Sequence, residues 1–372
     1  MISVRGLSRA CSRLAPVTAL AGLALVSLSL AANVRGGLFG IDFHGTIWQA
    51  GRDVLAGRNP YPAADAASLA AKGNPAVYPA PTLVATSPFG LLPVTAAAIL
   101  WDLLGLAALV SALRLVGVRD WRVLAIVLLS FPVASTFMLA QLDPFLALGC
   151  ALAWRWRDAR GARLAVCVGA TVAAKVFLWP LLLWLVAIGR RKQALGALAF
   201  GAGAAVAGWA IVGFSTLRGY PTLLSALTDA FGTDGYSLMA LGTRLGASTS
   251  IARLLPLAAL VVLCAVCVRL ARRGRRTDAL VAAVAAGILG SPILWMHYVV
   301  ILLVVWAAKR PSLCAAWALP VAFWLSPTEN PESGLDFALG LLTILAIVSL
   351  GVRRHPDVTV ASPAARASAV AT

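Results

Sequence analysis

Twelve apolar runs follow one another along this 372-residue chain, at 16–33, 92–113, 122–139, 143–154, 164–174, 177–188, 194–213, 252–271, 279–294, 298–308, 312–326 and 335–352. The breaks between many of them are short and arginine-rich. A soluble domain carries about 25% charged residues. This one carries 12%, against 60% hydrophobic, which leaves too little charge to cover a surface in water. Lipid is the remaining solvent, and lipid demands that backbone N–H and C=O groups be satisfied inside helices or a closed barrel. The runs are long and lack period-two alternation, so helices are indicated. The expected fold is all-α, a polytopic transmembrane protein of about 10–12 spans. Several spans, notably 143–154, 164–174, 177–188 and 298–308, fall short of the ~20 residues of a straight crossing and are read as short or broken.

The charge pattern supplies an orientation. With the N-terminus in the cytoplasm, 23 of the 31 Lys and Arg fall in cytoplasmic segments, among them the clusters 114–122, 155–163, 190–192, 269–276 and 309–310. That is the asymmetry of the positive-inside rule. The net charge of +17 is therefore a topology signal, and no nucleic-acid partner is expected. Arg5, Arg9 and Arg13 before the run at 16–33 resemble a signal peptide. The length of the run favours an uncleaved first span. Both termini are expected in the cytoplasm, with residues 1–354 forming a single transmembrane domain and 355–372 a disordered tail. Two long outer loops, 34–91 and 214–251, and a short third at 327–334 with Glu329 and Glu332 collect polar residues on the opposite face. The six cysteines sit in apolar runs or the basic N-terminus, so no disulfide is expected.

Four constellations carry chemistry. The first is Asp42 with His44, at the start of the first outer loop. Beside Ile41 and Phe43 a carboxylate is partly desolvated, which raises its pKa and makes it a better base; the alternative is a cap on a short helix over 43–56. The second is the proline-rich stretch Tyr78-Pro79-Ala80-Pro81 and Ser87 to Pro93, read as an extended re-entry into the membrane or, by preference, as a rigid loop that shapes span two. The third is the set of polar groups inside apolar runs: Asp102, Gln141, Asp143 and Lys175. Such groups face a cavity or a partner; Lys175 suits a phosphate and suits Asp143 equally. The fourth is Ser291-Pro292-Ile293-Leu294-Trp295-Met296-His297-Tyr298, where Pro292 would bend a helix. His297 is read either as a donor to a phosphate or sugar hydroxyl or as a group that satisfies a helix end. No nucleotide-binding or metal-ligating motif is present, so neither cofactor nor metal is expected.

In order along the chain, these blocks resemble the GT-C fold glycosyltransferases of family 87, which include polyprenol-phosphate-mannose-dependent mannosyltransferases. Asp42, Trp48-x-Ala50 and Gly57-Arg58-Asn59-Pro60-Tyr61 resemble its first-loop signature. Tyr78-Pro79 with Pro88 and Leu92-Pro93, Gln141 with Lys175, Gly235-Tyr236-Ser237-Leu238 with Arg244, and Ser291 to Tyr298 resemble later blocks, the whole covering about 38–310. Two departures are Tyr236, where the pattern has an amide side chain, and Asp143, where it has Asn.

The resemblance implies a hexosyltransferase of the cell membrane. It would move a sugar, mannose by default, from a polyprenyl-phosphate donor to a glycolipid or glycan acceptor on the extracytoplasmic face. Asp42 would be the catalytic base. His44, Tyr61, Gln141, Lys175, Arg244 and His297 would bind donor or acceptor. A transporter or flippase for a lipid-linked sugar is the competing reading; it would use the same intramembrane charges but need no base.

Overall fold

The computed structural model describes residues 39–65, 75–159 and 161–353, with single positions 24, 35, 37 and 69. The expected first span, but for position 24, and the expected tail at 355–372 lie outside the described residues. Among the described residues every regular element is helical, and each apolar run from 92 onward becomes a helix or a pair of helices.

Among the described residues four helices are long and apolar enough to cross a membrane: Val94–Leu115, Arg191–Val212, Thr249–Arg272 and Gly334–Val352. The pair Trp121–Leu128 and Phe131–Leu139, bent by 55°, has the apolar length of a broken span or a re-entrant loop. Ser130 is extended there at ψ 149°, and Pro132 in the next turn has no N–H to continue the ladder. The other runs stay short, as Arg163–Ala174, Val176–Ala187, Met296–Ala307 and Ala315–Leu325. Among the described residues the expected crossings thus divide into four or five full-length helices and a set of half-length ones. The bend expected at Pro292 is a complete break: one helix stops at Leu289 and the chain turns helical again at Met296. Much of the second expected outer loop is itself helical, at Phe214–Phe231 and Leu238–Arg244, the latter started by Ser237, whose hydroxyl accepts the Ala240 N–H at 2.9 Å.

The half-length helices make the core. Arg276–Leu289 is buried from Asp278 onward and Val299–Ala307 along its whole length. The outer helices have the reverse pattern, with Leu195, Leu198, Val206, Val261 and Val262 more than half exposed. Water would not tolerate such a surface, but lipid does.

The bundle has two chemically distinct ends. At one, Asp158 gathers Arg276 at 2.6 Å and Arg157 and Arg190 at 3.5 Å. There Lys309 pairs with Asp278 at 2.7 Å and caps the last helix through the carbonyls of Gly351 and Arg353 at 2.6 and 2.8 Å. Four of the basic segments, at 155–163, 190–192, 269–276 and 309–310, thus meet at this end. The helix Asp143–Trp156 leads from this end to the other, and its 14 residues span about 21 Å.

Candidate active site

The far end collects Asp42, Gln141, Asp143, Lys175, His297 and Glu329. Gly40 opens the first of these elements at φ +65°, a left-handed conformation that its lack of Cβ permits. It donates its N–H to the Met138 carbonyl at 2.8 Å. The chain then turns helical at Ile41–Phe43 and continues as a π-helical stretch, His44–Gln49, a geometry that recurs at functional sites. Asp42 lies inside the helix and not at its cap, and its side chain makes no capping bond. Its carboxylate instead accepts a hydrogen bond from Gln141 Nε2.

Gln141 is aimed by an unusual backbone. Ala140 before it is left-handed at φ 53°, ψ 59°, which costs an L-residue about 1–2 kcal/mol. Trp101 Nε1 donates to the Gln141 carbonyl at 3.1 Å, and Tyr78 Oη donates to its Oε1 at 3.0 Å. The amide therefore has a fixed orientation, with its NH2 toward Asp42. Tyr78 is held in turn by Tyr61, whose hydroxyl donates to the Tyr78 carbonyl at 2.8 Å. Gly208 permits the helix Arg191–Val212 to lie against Pro81, since a Cβ there would sit 2.6 Å from the proline nitrogen.

Lys175 follows the end of the helix Arg163–Ala174 with an extended backbone. Its ammonium lies 3.9 Å over the Tyr298 ring and 5.4 Å over those of Tyr78 and Phe177, a cation–π cage. It pairs with Asp143 Oδ1 at 3.7 Å. His297 Nε2 faces the other Asp143 oxygen at 3.9 Å and its Nδ1 faces Glu329 at 3.2 Å. Two carboxylates beside one imidazole favour its charged form. Glu329 also accepts from the Met296 N–H at 2.6 Å, the His297 N–H at 3.2 Å and the Ser135 hydroxyl. It thereby staples the outer segment to two helices.

Burial pushes the Asp42 carboxyl up to about 6; Glu329 nearby adds to the rise, while His297, Lys175 and the Gln141 hydrogen bond restrain it. Glu329 goes the other way. Burial alone would raise it, but His297 and the bonds from Ser135 and Met296 hold it below the usual carboxylate value.

The remaining sequence candidates fall elsewhere. His44 is exposed and lies beside Trp48, ring centroids 5.2 Å apart, because two residues along a helix turn a side chain to the opposite side. Tyr61 joins an aromatic group with Trp209 and Tyr220 at 5.5 and 5.4 Å, behind Tyr78. Arg244 donates to the Pro331 carbonyl and lies 4.8 Å over the Phe337 ring, so it braces the segment that carries Glu329. Asp102 makes no ion pair among the described residues. Glu329, Asp143 and Tyr78 are the site members not chosen as site residues from sequence. Asp143 and Tyr78 stood in noted groups, whereas nothing local separates Glu329 from Glu332.

Among the described residues, this helical bundle sets a hydrogen-bonded carboxylate beside a lysine and an imidazole, an arrangement suited to group transfer. The model of glycosyltransferase family 87 matches residues 76–296, more than half of the chain, and the chain belongs to that family. No curated protein and no solved structure matches it. Gln141, Asp143, Lys175 and Arg244 lie within the matched segment; Asp42 and Tyr61 precede it, and His297 and Glu329 follow it.

Proposed function

We propose that this membrane glycosyltransferase moves a hexose, mannose by its resemblance, from a polyprenyl-phosphate donor to a hydroxyl of a glycolipid or glycan at the extracytoplasmic face of the cell membrane. The observation that carries the reading is the raised Asp42 carboxyl at the edge of a cluster that holds two cations. The acceptor hydroxyl gives its proton to Asp42 as its oxygen bonds to the anomeric carbon. The bond from that carbon to the phosphate oxygen breaks, and the electron pair stays on the phosphate. A base poised near the working pH suits the first half. Lys175 and His297 suit the second, since preset cations stabilise charge that develops on a leaving group. Gln141 orients the base. Arg244, Tyr61 and Tyr78 act through the segments they brace.

The half-length helices explain how a lipid-borne sugar reaches the site. Fourteen residues from the arginine-rich end cover about 21 Å of a ~30 Å hydrocarbon layer. That length supports a site below the outer interface, within reach of a phosphate attached to a membrane-embedded chain.

The test uses membranes containing wild type or Asp42→Asn, incubated with radiolabelled polyprenyl-phosphate mannose and a crude lipid extract. Labelled glycolipid from wild type alone is expected. Product from both would remove Asp42 from the mechanism. Substrate movement without transfer, unaffected by Asp42→Asn, would favour transport. A chelator should leave the rate unchanged.

A further inference from the structure

We infer that Asp143 is an internal counter-anion that competes with the leaving phosphate for Lys175 and His297 and so promotes release of the polyprenyl phosphate product; this rests on the transfer chemistry proposed above. The Asp143 side chain is fully buried, and neither carboxylate oxygen has a hydrogen-bond partner among the described residues. Buried polar groups are almost always hydrogen-bonded, so a carboxylate held only by charge is an exception that needs a reason. Its partners are Lys175 Nζ at 3.7 Å and His297 Nε2 at 3.9 Å, one on each oxygen and both beyond hydrogen-bonding distance. Glu329 makes the contrast. It faces the same imidazole but takes two backbone N–H groups and a hydroxyl, and so fixes structure. Asp143 fixes little and contributes charge.

Charge is what changes in the reaction. The donor is a phosphodiester with one negative charge. When the anomeric carbon–oxygen bond breaks, the electron pair remains on the phosphate and the acceptor proton goes to Asp42. The product is a phosphomonoester whose second ionisation lies near pH 6, so above that it carries close to two charges. Two cations alone would hold it more tightly than the substrate. A fixed anion between them weakens both states but weakens the dianion more. Lys175 keeps 11% of its side-chain surface open, whereas Asp143 keeps none, so of the pair the lysine is the one a ligand can meet.

The test is product inhibition in wild type and Asp143→Asn reconstituted in nanodiscs, with polyprenyl phosphate as inhibitor and equilibrium binding of farnesyl phosphate as a readout free of turnover. In Asp143→Asn the inhibition constant should fall about tenfold, equivalent to 1.4 kcal/mol, and by more than the KM for the donor. Asp143→Ala removes the same charge and should follow Asn, whereas Asp143→Glu keeps it and should follow wild type. An unchanged or raised constant in both neutral variants, with single-turnover transfer intact, overturns the inference. A common loss in all three variants would mean a purely structural role and overturns it too. Wild type that transfers no sugar from a polyprenyl-phosphate donor would overturn the underlying reading itself.

Discussion

Replacing Gln141 by Leu should move the acidic limb of the pH–rate profile upward while leaving the base in place. Asp42 must be ionised to accept a proton, so kcat/KM should fall as pH falls through the carboxyl's pKa, near 6 in wild type. Gln141 donates to that carboxylate and favours its charged form. A hydrogen bond to a charged group contributes about 1.5–3 kcal/mol, and about 1.36 kcal/mol corresponds to one pH unit. Without it the limb should lie at roughly pH 7–8. Tyr78→Phe is the control, because it removes the Tyr78–Gln141 bond of 3.0 Å but leaves the donor to Asp42. Its limb should stay near 6. The assay is the initial rate of labelled-sugar transfer in detergent or nanodiscs from pH 4.5 to 9, checked against thermal unfolding at each pH. A Gln141→Leu limb at or below the wild-type position would refute the assignment. So would a wild-type limb near 4, which would mean that burial does not raise Asp42.

Three further outcomes are expected. Lys175→Met leaves the fully buried Asp143 with a cation on one side only and should lower stability by about 3–5 kcal/mol; adding Asp143→Asn should restore most of it, as thermal denaturation would show. Glu329→Gln removes the charge that gathers His297, Met296 and Ser135 and should lower kcat/KM by roughly thirtyfold, about 2 kcal/mol; a change within threefold would leave Glu329 no role in positioning His297. Ala140→Val places a β-branched residue at φ 53° and should cost about 2 kcal/mol or more, while Ala140→Gly should be neutral or slightly stabilising, both read from unfolding midpoints.

The helical membrane class was legible in the sequence because it follows from a global deficit. With 12% charged residues, no arrangement in water covers the apolar runs, and each run from 92 onward is a helix. The two-ended polarity was legible for the same reason, since arginines avoid hydrocarbon wherever the helices pack. Asp42, Gln141, Lys175 and His297 stood out as polar groups in or beside apolar stretches, where a charge needs a partner.

Which partner each one meets is a different kind of fact. The Gln141–Asp42 bond joins residues 99 apart, and its aim depends on one left-handed alanine that no local pattern announces. Pairing of Lys175 with Asp143 or with a ligand was undecided from sequence, because both suit an ammonium; the packing of two half-length helices put the carboxylate at 3.7 Å. His44 was drawn toward Asp42 by proximity in sequence, yet helix geometry turns it away, while Glu329, remote in sequence, is brought in. Periodicity and composition are local or global sums, whereas a site of this kind is made by helix ends meeting. Where they meet was decided by the packing of the buried helices Arg276–Leu289 and Val299–Ala307 against their neighbours, and only the tertiary structure contains that.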